Sequence, residues 1–354
     1  MNRRRIALIV LVSASMVLLG ACRSNKKSQT PVSGGATSTT TTMAGATGTT
    51  AVPVTVAGTG TGGLRVLVDA SVAGGPTVPM WLDTGSAGML VDPAIIGSQA
   101  KAGTGSVNYQ YLGFGIQGSV VNASVTLGSA KTSVTTSGAI NVGSITGVTC
   151  ASGSCSIDQF FGAGVHGIIG IAPAQGAQVS APLFSPLLQV AGPAQTGWTI
   201  ALPGAGLGSG TLTFGPVTPG KGAVSVSLVQ VGSYPNGMPA FAKDVDMCWT
   251  IGTGSACGAT NFDIGAPKTL VTPGLIPGVP SANGVVTAGT AVKIAAPSGG
   301  GTIWSIKAGV SPSRNLVELT SALGGVTQYN TGIAPFLGQN IAWSVSTAKL
   351  YIWG

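Results

Sequence analysis

Two short segments of this 354-residue chain set an acid where it could do chemistry. The first reads Met80-Trp81-Leu82-Asp83-Thr84-Gly85-Ser86, and the second reads Asn261-Phe262-Asp263-Ile264-Gly265-Ala266-Pro267. Each runs from an apolar residue through Asp, a β-branched residue and Gly to a small residue. That order suits a strand ending in a tight turn that presents a carboxylate, with Gly permitting the backbone conformation. Taken alone, either segment is equally an ordinary β-turn. Taken together they offer a carboxylate pair in a chain with only 8 acidic residues. Two carboxylates held close cannot both ionise cheaply, so they share a proton and titrate as a unit. The ionised member can then activate a water while the protonated member polarises a carbonyl. This chemistry requires neither metal nor cofactor, and none is expected.

Other chemistries find less support. The single His, His166, rules out a His-based zinc set, and a Ser-His-Asp hydrolase would lack a Gly-x-Ser-x-Gly elbow. His166 reads as a turn residue. Asp244 and Asp246, beside Lys243, read as solvated. The six Trp (Trp81, Trp198, Trp249, Trp304, Trp343 and Trp353) are dispersed and read as packing residues.

The elements that must position the two acids are strands. The chain has 57 Gly, 21 Pro, 44% hydrophobic and only 7% charged residues, with one Glu (Glu318). Low charge with abundant Val, Thr, Ser and Gly argues for many short strands joined by turns, not for long solvated helices. Strands are expected at Leu64–Val72, Val78–Leu82, Val120–Leu127, Thr211–Phe214, Ala223–Val231, Ala291–Ala295, Gly301–Ile306 and Ile341–Ile352. One helix is expected, at Leu183–Val190.

The net charge of +8 belongs to the N-terminus. Six of 16 basic residues lie in the first 27 positions, leaving 10 basic against 8 acidic groups. No basic cluster interleaves with aromatics, so nucleic acid is not an expected partner. Arg3-Arg4-Arg5 followed by apolar Ile6 to Leu19 reads as a secretion signal. It ends in Leu19-Gly20-Ala21-Cys22, which resembles a lipobox whose Cys22 carries the lipid. From Ser28 to Leu64 no residue is charged, and Thr, Gly, Ser and Ala dominate, as in a flexible tether. The expected organisation is a signal peptide at 1–21, a lipidated Cys and tether at 22–62, and two β lobes at 63–205 and 206–354. The expected location is the bacterial cell envelope, with the membrane reached through the lipid anchor.

The surroundings of the two acids resemble the pepsin-like aspartic proteases. Asp83-Thr84-Gly85-Ser86 looks like the first catalytic loop of that family, and Asp263-Ile264-Gly265 lies 180 residues later, near the place of the second. Tyr111, before Gly113-Phe114-Gly115-Ile116-Gln117-Gly118, resembles the Tyr of the flap hairpin that covers substrate. His166-Gly167-Ile168-Ile169-Gly170-Ile171 looks like the segment bracing the first loop, and Phe336-Leu337-Gly338 like its counterpart in the second lobe. Gly208 to Gly215 resembles the interlobe strand. The resemblance implies an all-β, bilobal fold with an interlobe cleft. It further implies an endopeptidase acting on polypeptides, as a monomer and more readily at acidic pH. Asp83 and Asp263 would be its catalytic pair, supported by Thr84, Gly85, Ser86 and Gly265, with Tyr111 as the flap residue. Three positions depart from the family: Ile264 lacks the hydroxyl that Thr84 keeps, Ala266 lacks the one at Ser86, and Leu90 stands where a Trp usually partners the flap Tyr. A catalytically silent envelope protein that binds peptide, or has a structural role, is therefore the alternative.

Four Cys remain besides Cys22, and an even number of thiols in an exported chain favours disulfides. Three connectivities are possible. Cys150 with Cys155 and Cys248 with Cys257 is the expected one, closing a short loop in each lobe.

Overall fold

The computed structural model describes residues 48–354 except 59–62, 112–113, 130–131, 152, 175–181, 205, 298, 310–314 and 324–325. The expected signal peptide and Cys22 lie outside the described residues. Those described belong to one unit, Ala46–Gly354.

The fold is all-β and built around two sheets. Among the described residues the larger has 16 strands, the second 9, and a small two-stranded ribbon joins Gln230–Ser233 to Pro239–Phe241. The 9-stranded sheet draws on residues Asp244 to Asn330 and carries Asp263 beyond the end of one of its strands. The larger sheet holds the first lobe and continues across the molecule. Thr50–Gly58 pairs with Leu64–Val72 on one side and with Gly208–Phe214 on the other. Beyond it come Gly197–Ala201, Asn340–Ser344, Lys349–Trp353 and Val224–Ser227. Strands from both halves of the chain therefore form one continuous platform.

Thr50–Gly58 corrects the expectation of a tether reaching residue 62. Its Val52, Val54 and Val56 alternate with exposed neighbours and are almost wholly buried. Period-2 alternation over one apolar face is what a half-buried strand requires. The absence of charge, read as a tether, is equally compatible with a strand covered on one side.

Most expected strands form. Leu64–Val72 and Ala291–Ala295 keep their expected bounds, while Val78–Asp83, Gly208–Phe214 and Thr302–Lys307 shift by a few residues. Three expected runs divide in two. Val120–Leu127 breaks at Ser124, Ala223–Val231 breaks after Ser227, and Ile341–Ile352 folds back as the hairpin Asn340–Ser344 with Lys349–Trp353. The expected helix at 183–190 is only the 3₁₀ turn Pro186–Gln189, capped by the Ser185 hydroxyl. Eight residues are too few to nucleate an α-helix without strong tertiary support.

Both expected disulfides form, at Cys150–Cys155 and Cys248–Cys257. The second crosses the hairpin whose strands, Asp244–Ile251 and Gly254–Asn261, lead into Asp263. Trp198, Trp249, Trp304 and Trp343 are buried, as their dispersion implied. Asp244 is half-buried, not solvated, and accepts a 2.8 Å hydrogen bond from Thr327. Burial raises its pKa. His166 has the structural place expected of it: its backbone joins Pro79 and Asp92, and its Nδ1 lies 3.1 Å from Asp92 Oδ2.

Candidate active site

Asp83 ends the strand Val78–Asp83, and two neighbouring strands hold it there. Gly167–Ile171 runs parallel to that strand, with Gly170 opposite Asp83, and antiparallel to Ala87–Val91. The expected brace of the first loop is thus in place. The strand after the loop, Ala87–Val91, is buried throughout, and Leu90 packs in the same apolar cluster as Tyr109 and Tyr111.

In the second lobe the bracing segment is not Phe336-Leu337-Gly338. The parallel partner of Thr260–Asn261 is Tyr329–Asn330, which also pairs antiparallel with Leu270–Val271. Continuing that register sets Thr331 and Gly332 beside Phe262 and Asp263, as Ile169 and Gly170 stand beside Leu82 and Asp83. Phe336 closes a 3₁₀ turn farther on, and Leu337 bridges to Leu202. The hydrophobic pattern pointed to the wrong segment because the real brace is polar. Its polarity serves the acid: Asn330 Nδ2 donates to Asp263 Oδ2 at 2.6 Å, and the Asp263 N–H donates to Thr331 Oγ1 at 3.3 Å.

The two carboxylates face each other across the loops, each lying against the glycine of the opposite loop, and they titrate together. Each is also anchored within its own loop. Asp83 accepts from the Gly85 N–H at 2.7 Å and from the Ser86 hydroxyl at 2.5 Å. Asp263 accepts from the Gly265 N–H at 2.7 Å and the Ala266 N–H at 3.2 Å. Where Ser86 supplies a hydroxyl to Asp83, Ala266 has none, and Asn330 occupies that role from a different element. Its amide orientation follows from its other end, where Oδ1 accepts from the Gly332 N–H at 2.8 Å, leaving the NH₂ to face Asp263.

Gly85 and Gly265 are needed for closeness, not for turn geometry. Neither has a positive φ. A Cβ on Gly85 would stand 2.5 Å from the Asp263 carboxyl carbon, and one on Gly265 would collide with Asp83 Oδ1. Each glycine makes room for the acid of the opposite loop.

The lock between the loops is one-sided. The Thr84 hydroxyl donates to the Phe262 carbonyl at 2.6 Å and accepts from the Ile264 N–H at 2.9 Å. Ile264, wholly buried, contributes apolar packing instead of the reciprocal pair.

The flap hairpin pairs Lys101–Tyr111 with Phe114–Ala123. The Tyr111 phenol lies near Ser86, whose hydroxyl donates to Asp83. Burial raises the phenol pKa well above its ordinary value, and the nearby Asp83 adds to this. The neighbouring Tyr109 donates to the Ala87 carbonyl at 2.5 Å and stacks on Tyr111. Leu90, where a Trp would stand, is in the apolar cluster against which Tyr111 packs.

Asp83 is 4% exposed, whereas Asp263 keeps some contact with solvent. Burial first, and then the adjacent Asp263 carboxylate, push Asp83 up to about 8. The pair therefore retains a proton at neutral pH, the condition in which one carboxyl donates while its partner accepts. Among the described residues no group of three or more His, Cys, Asp or Glu is arranged to hold a metal ion. Asn330, Thr331 and Gly332 escaped the sequence reading, and only the parallel register identifies them.

The fold has a solved counterpart: an aspartic proteinase from Irpex lacteus is similar at a TM-score of 0.58 and 16% identity, over 86% of this chain and 97% of that one. At that identity the likeness establishes the fold alone. No curated protein matches the chain. The family model for the PE-PGRS C-terminal aspartyl peptidase-like domain matches residues 50–349, from the first strand of the platform almost to its last. That span takes in both acids, both braces and the flap, and the chain belongs to this family of divergent, pepsin-like proteins.

Proposed function

We propose that the chain is an aspartic-type endopeptidase, hydrolysing peptide bonds with a water activated by Asp83 and Asp263. The observation that carries this reading is that the two carboxylates face each other, each loop's glycine clearing space for the opposite acid. One acid takes a proton from the water as it attacks, and the other donates to the carbonyl oxygen. Asp83, pushed up to about 8, is suited to hold the shared proton. Tyr111 on the flap hairpin would cover a polypeptide lying along the cleft.

The full chain is expected to cleave unfolded protein substrates, and Asp83→Asn and Asp263→Asn should each abolish cleavage. Either change keeps the shape and removes the shared-proton state. Unchanged cleavage in both variants would remove the pair from the mechanism. A second reading, a catalytically silent peptide-binding or structural protein, is favoured by the apolar Ile264 and Ala266 in the second loop. An inactive parent that still binds peptide would establish the binding reading instead.

Export belongs to the proposal as well. The protein would be a monomer anchored at the cell envelope through lipid on Cys22. Cys22→Ser should abolish metabolic labelling with a fatty acid, and persistent labelling would remove the anchor.

A further inference from the structure

Arg65 is a cationic group near the two acids that hydrolysis leaves without a task. It lies on Leu64–Val72, whose register with Val78–Asp83 sets Leu67 opposite Trp81. Alternation along the strands then puts Arg65, Leu67, Trp81 and Asp83 on one face. The guanidinium lies over the Trp81 ring, 4.7 Å from its centroid. Its Nε is buried without a hydrogen-bond partner, and Nη1 makes only a 3.5 Å bond to the Leu64 carbonyl. The two ion pairs among the described residues, His166 with Asp92 and Lys268 with Glu318, do not include it.

A guanidinium offers five donors in a fixed fork matched to a carboxylate, and leaving a buried donor such as this Nε unpaired is costly. Asp83 and Asp263 are near enough for their charges to act on Arg65, but they already accept from Gly85, Ser86, Gly265, Ala266 and Asn330. The apolar side of Arg65 continues into an aromatic wall. Trp81 meets Phe161 edge-on at 5.0 Å, and Phe160 meets Phe114 edge-on at 5.6 Å, where Phe114 stands 42% exposed on the flap hairpin. The wall and the cation together describe a place for an apolar segment of chain with a carboxylate beside it.

We propose that Arg65, stacked on Trp81, is a carboxylate-recognising subsite of the candidate cleft, pairing with an acidic group of the bound polypeptide. The carboxylate comes either from an Asp or Glu side chain or from a C-terminus. The inference rests on the site binding polypeptide, and it does not require that the polypeptide be cut.

Fluorescently labelled, Leu- and Phe-containing peptides test it, with Glu or Gln at each position in turn and with free or amidated C-termini. Their binding to the full chain is followed by polarisation, and cleavage is followed in parallel. The wild type should bind one Glu peptide, or the free-terminus form, about tenfold more tightly than its neutral counterpart. Loss of the preference on amidation identifies the C-terminus as the source, and retention identifies the side chain. Arg65→Met, which keeps the apolar stack, should erase the preference, and Arg65→Glu should turn it toward Lys. If Arg65→Met does not fold, Arg65→Lys must weaken the preference, because it keeps the charge without the fork. Equal binding of all charged and neutral pairs by the wild type, a preference that survives Arg65→Met or is unweakened in Arg65→Lys, or no binding of any peptide overturns the subsite. Cleavage without a preference removes the subsite alone, whereas a preference without cleavage removes the peptidase reading alone.

Discussion

The second acid is held differently from the first, and the difference is legible in single side chains. Ser86 serves Asp83 from within its own loop, whereas Asn330 reaches Asp263 from a strand 67 residues farther on. Asn330→Ala would leave Asp263 Oδ2 and the Gly332 N–H without these partners. The buried Gly332 N–H left unpaired costs about 1–3 kcal/mol, and the half-buried Asp263 loses a charge-assisted bond. Peptide cleavage by Asn330→Ala is expected to fall at least tenfold. Adding Ala266→Ser should restore much of the loss, because a hydroxyl there would stand toward Asp263 as Ser86 stands toward Asp83. Steady-state kinetics of the single and double variants check this, and Ala266→Ser in the parent should change little. Thr84 is the other decisive side chain. Thr84→Val keeps the volume but unpairs the Phe262 carbonyl and the Ile264 N–H, so a denaturant melt should show a loss of about 1–3 kcal/mol. Ile264→Thr supplies the missing reciprocal hydroxyl, and its cleavage rate should equal or exceed that of the parent.

At the scale of elements, the strand Thr50–Gly58 joins the first lobe to the interlobe part of the platform. Fully burying a Val side chain contributes about 1.5–3 kcal/mol, and this strand buries Val52, Val54 and Val56. Its removal also bares the edges of both Leu64–Val72 and Gly208–Phe214. Open apolar edges invite association with other chains. A chain beginning at residue 63 should therefore aggregate or melt far below one beginning at residue 48, as thermal scans and size-exclusion chromatography would show. The Cys248–Cys257 bridge acts on a smaller element, crossing one hairpin. Reducing it or substituting both Cys by Ser should lower stability modestly, since the loop closed is short.

Across the whole molecule, the buried acid makes stability depend on pH. Asp83 is raised to about 8, above its ordinary value of 3.8. Between those values the folded chain keeps a proton that the unfolded chain has lost. Stability from this group is present in full at low pH and is lost as pH rises through that window, by at most about 1.4 kcal/mol per pH unit. Asp83→Asn carries no such dependence, so its melting temperature should gain on that of the parent as pH rises from 4 to 8. The same shift moves the upper limit of the activity window: cleavage is expected to persist toward neutral pH and fall as pH passes about 8. A pH–rate profile on the full chain checks the limb.

The residues of both loops, the first brace, the hairpin that carries Tyr111 and both disulfides were legible in the sequence because each is a local pattern. Asp83-Thr84-Gly85-Ser86 carries its chemistry within four positions, and each Cys pair is separated by only 5 or 9 residues. The first strand and the second brace were not legible. Thr50–Gly58 reads as a linker until Leu64–Val72 and Gly208–Phe214 are set on either side of it. Tyr329-Asn330-Thr331-Gly332 lacks the apolar signature of a brace, and its polar side chains acquire meaning only once the parallel register brings them to Asp263. The same holds for Arg65, whose unpaired fork is visible only when Trp81 lies beneath it. Local spacing determines which residues can do chemistry, but pairings between distant strands decide which groups face the acids. In this chain those pairings decided how the second carboxylate is held.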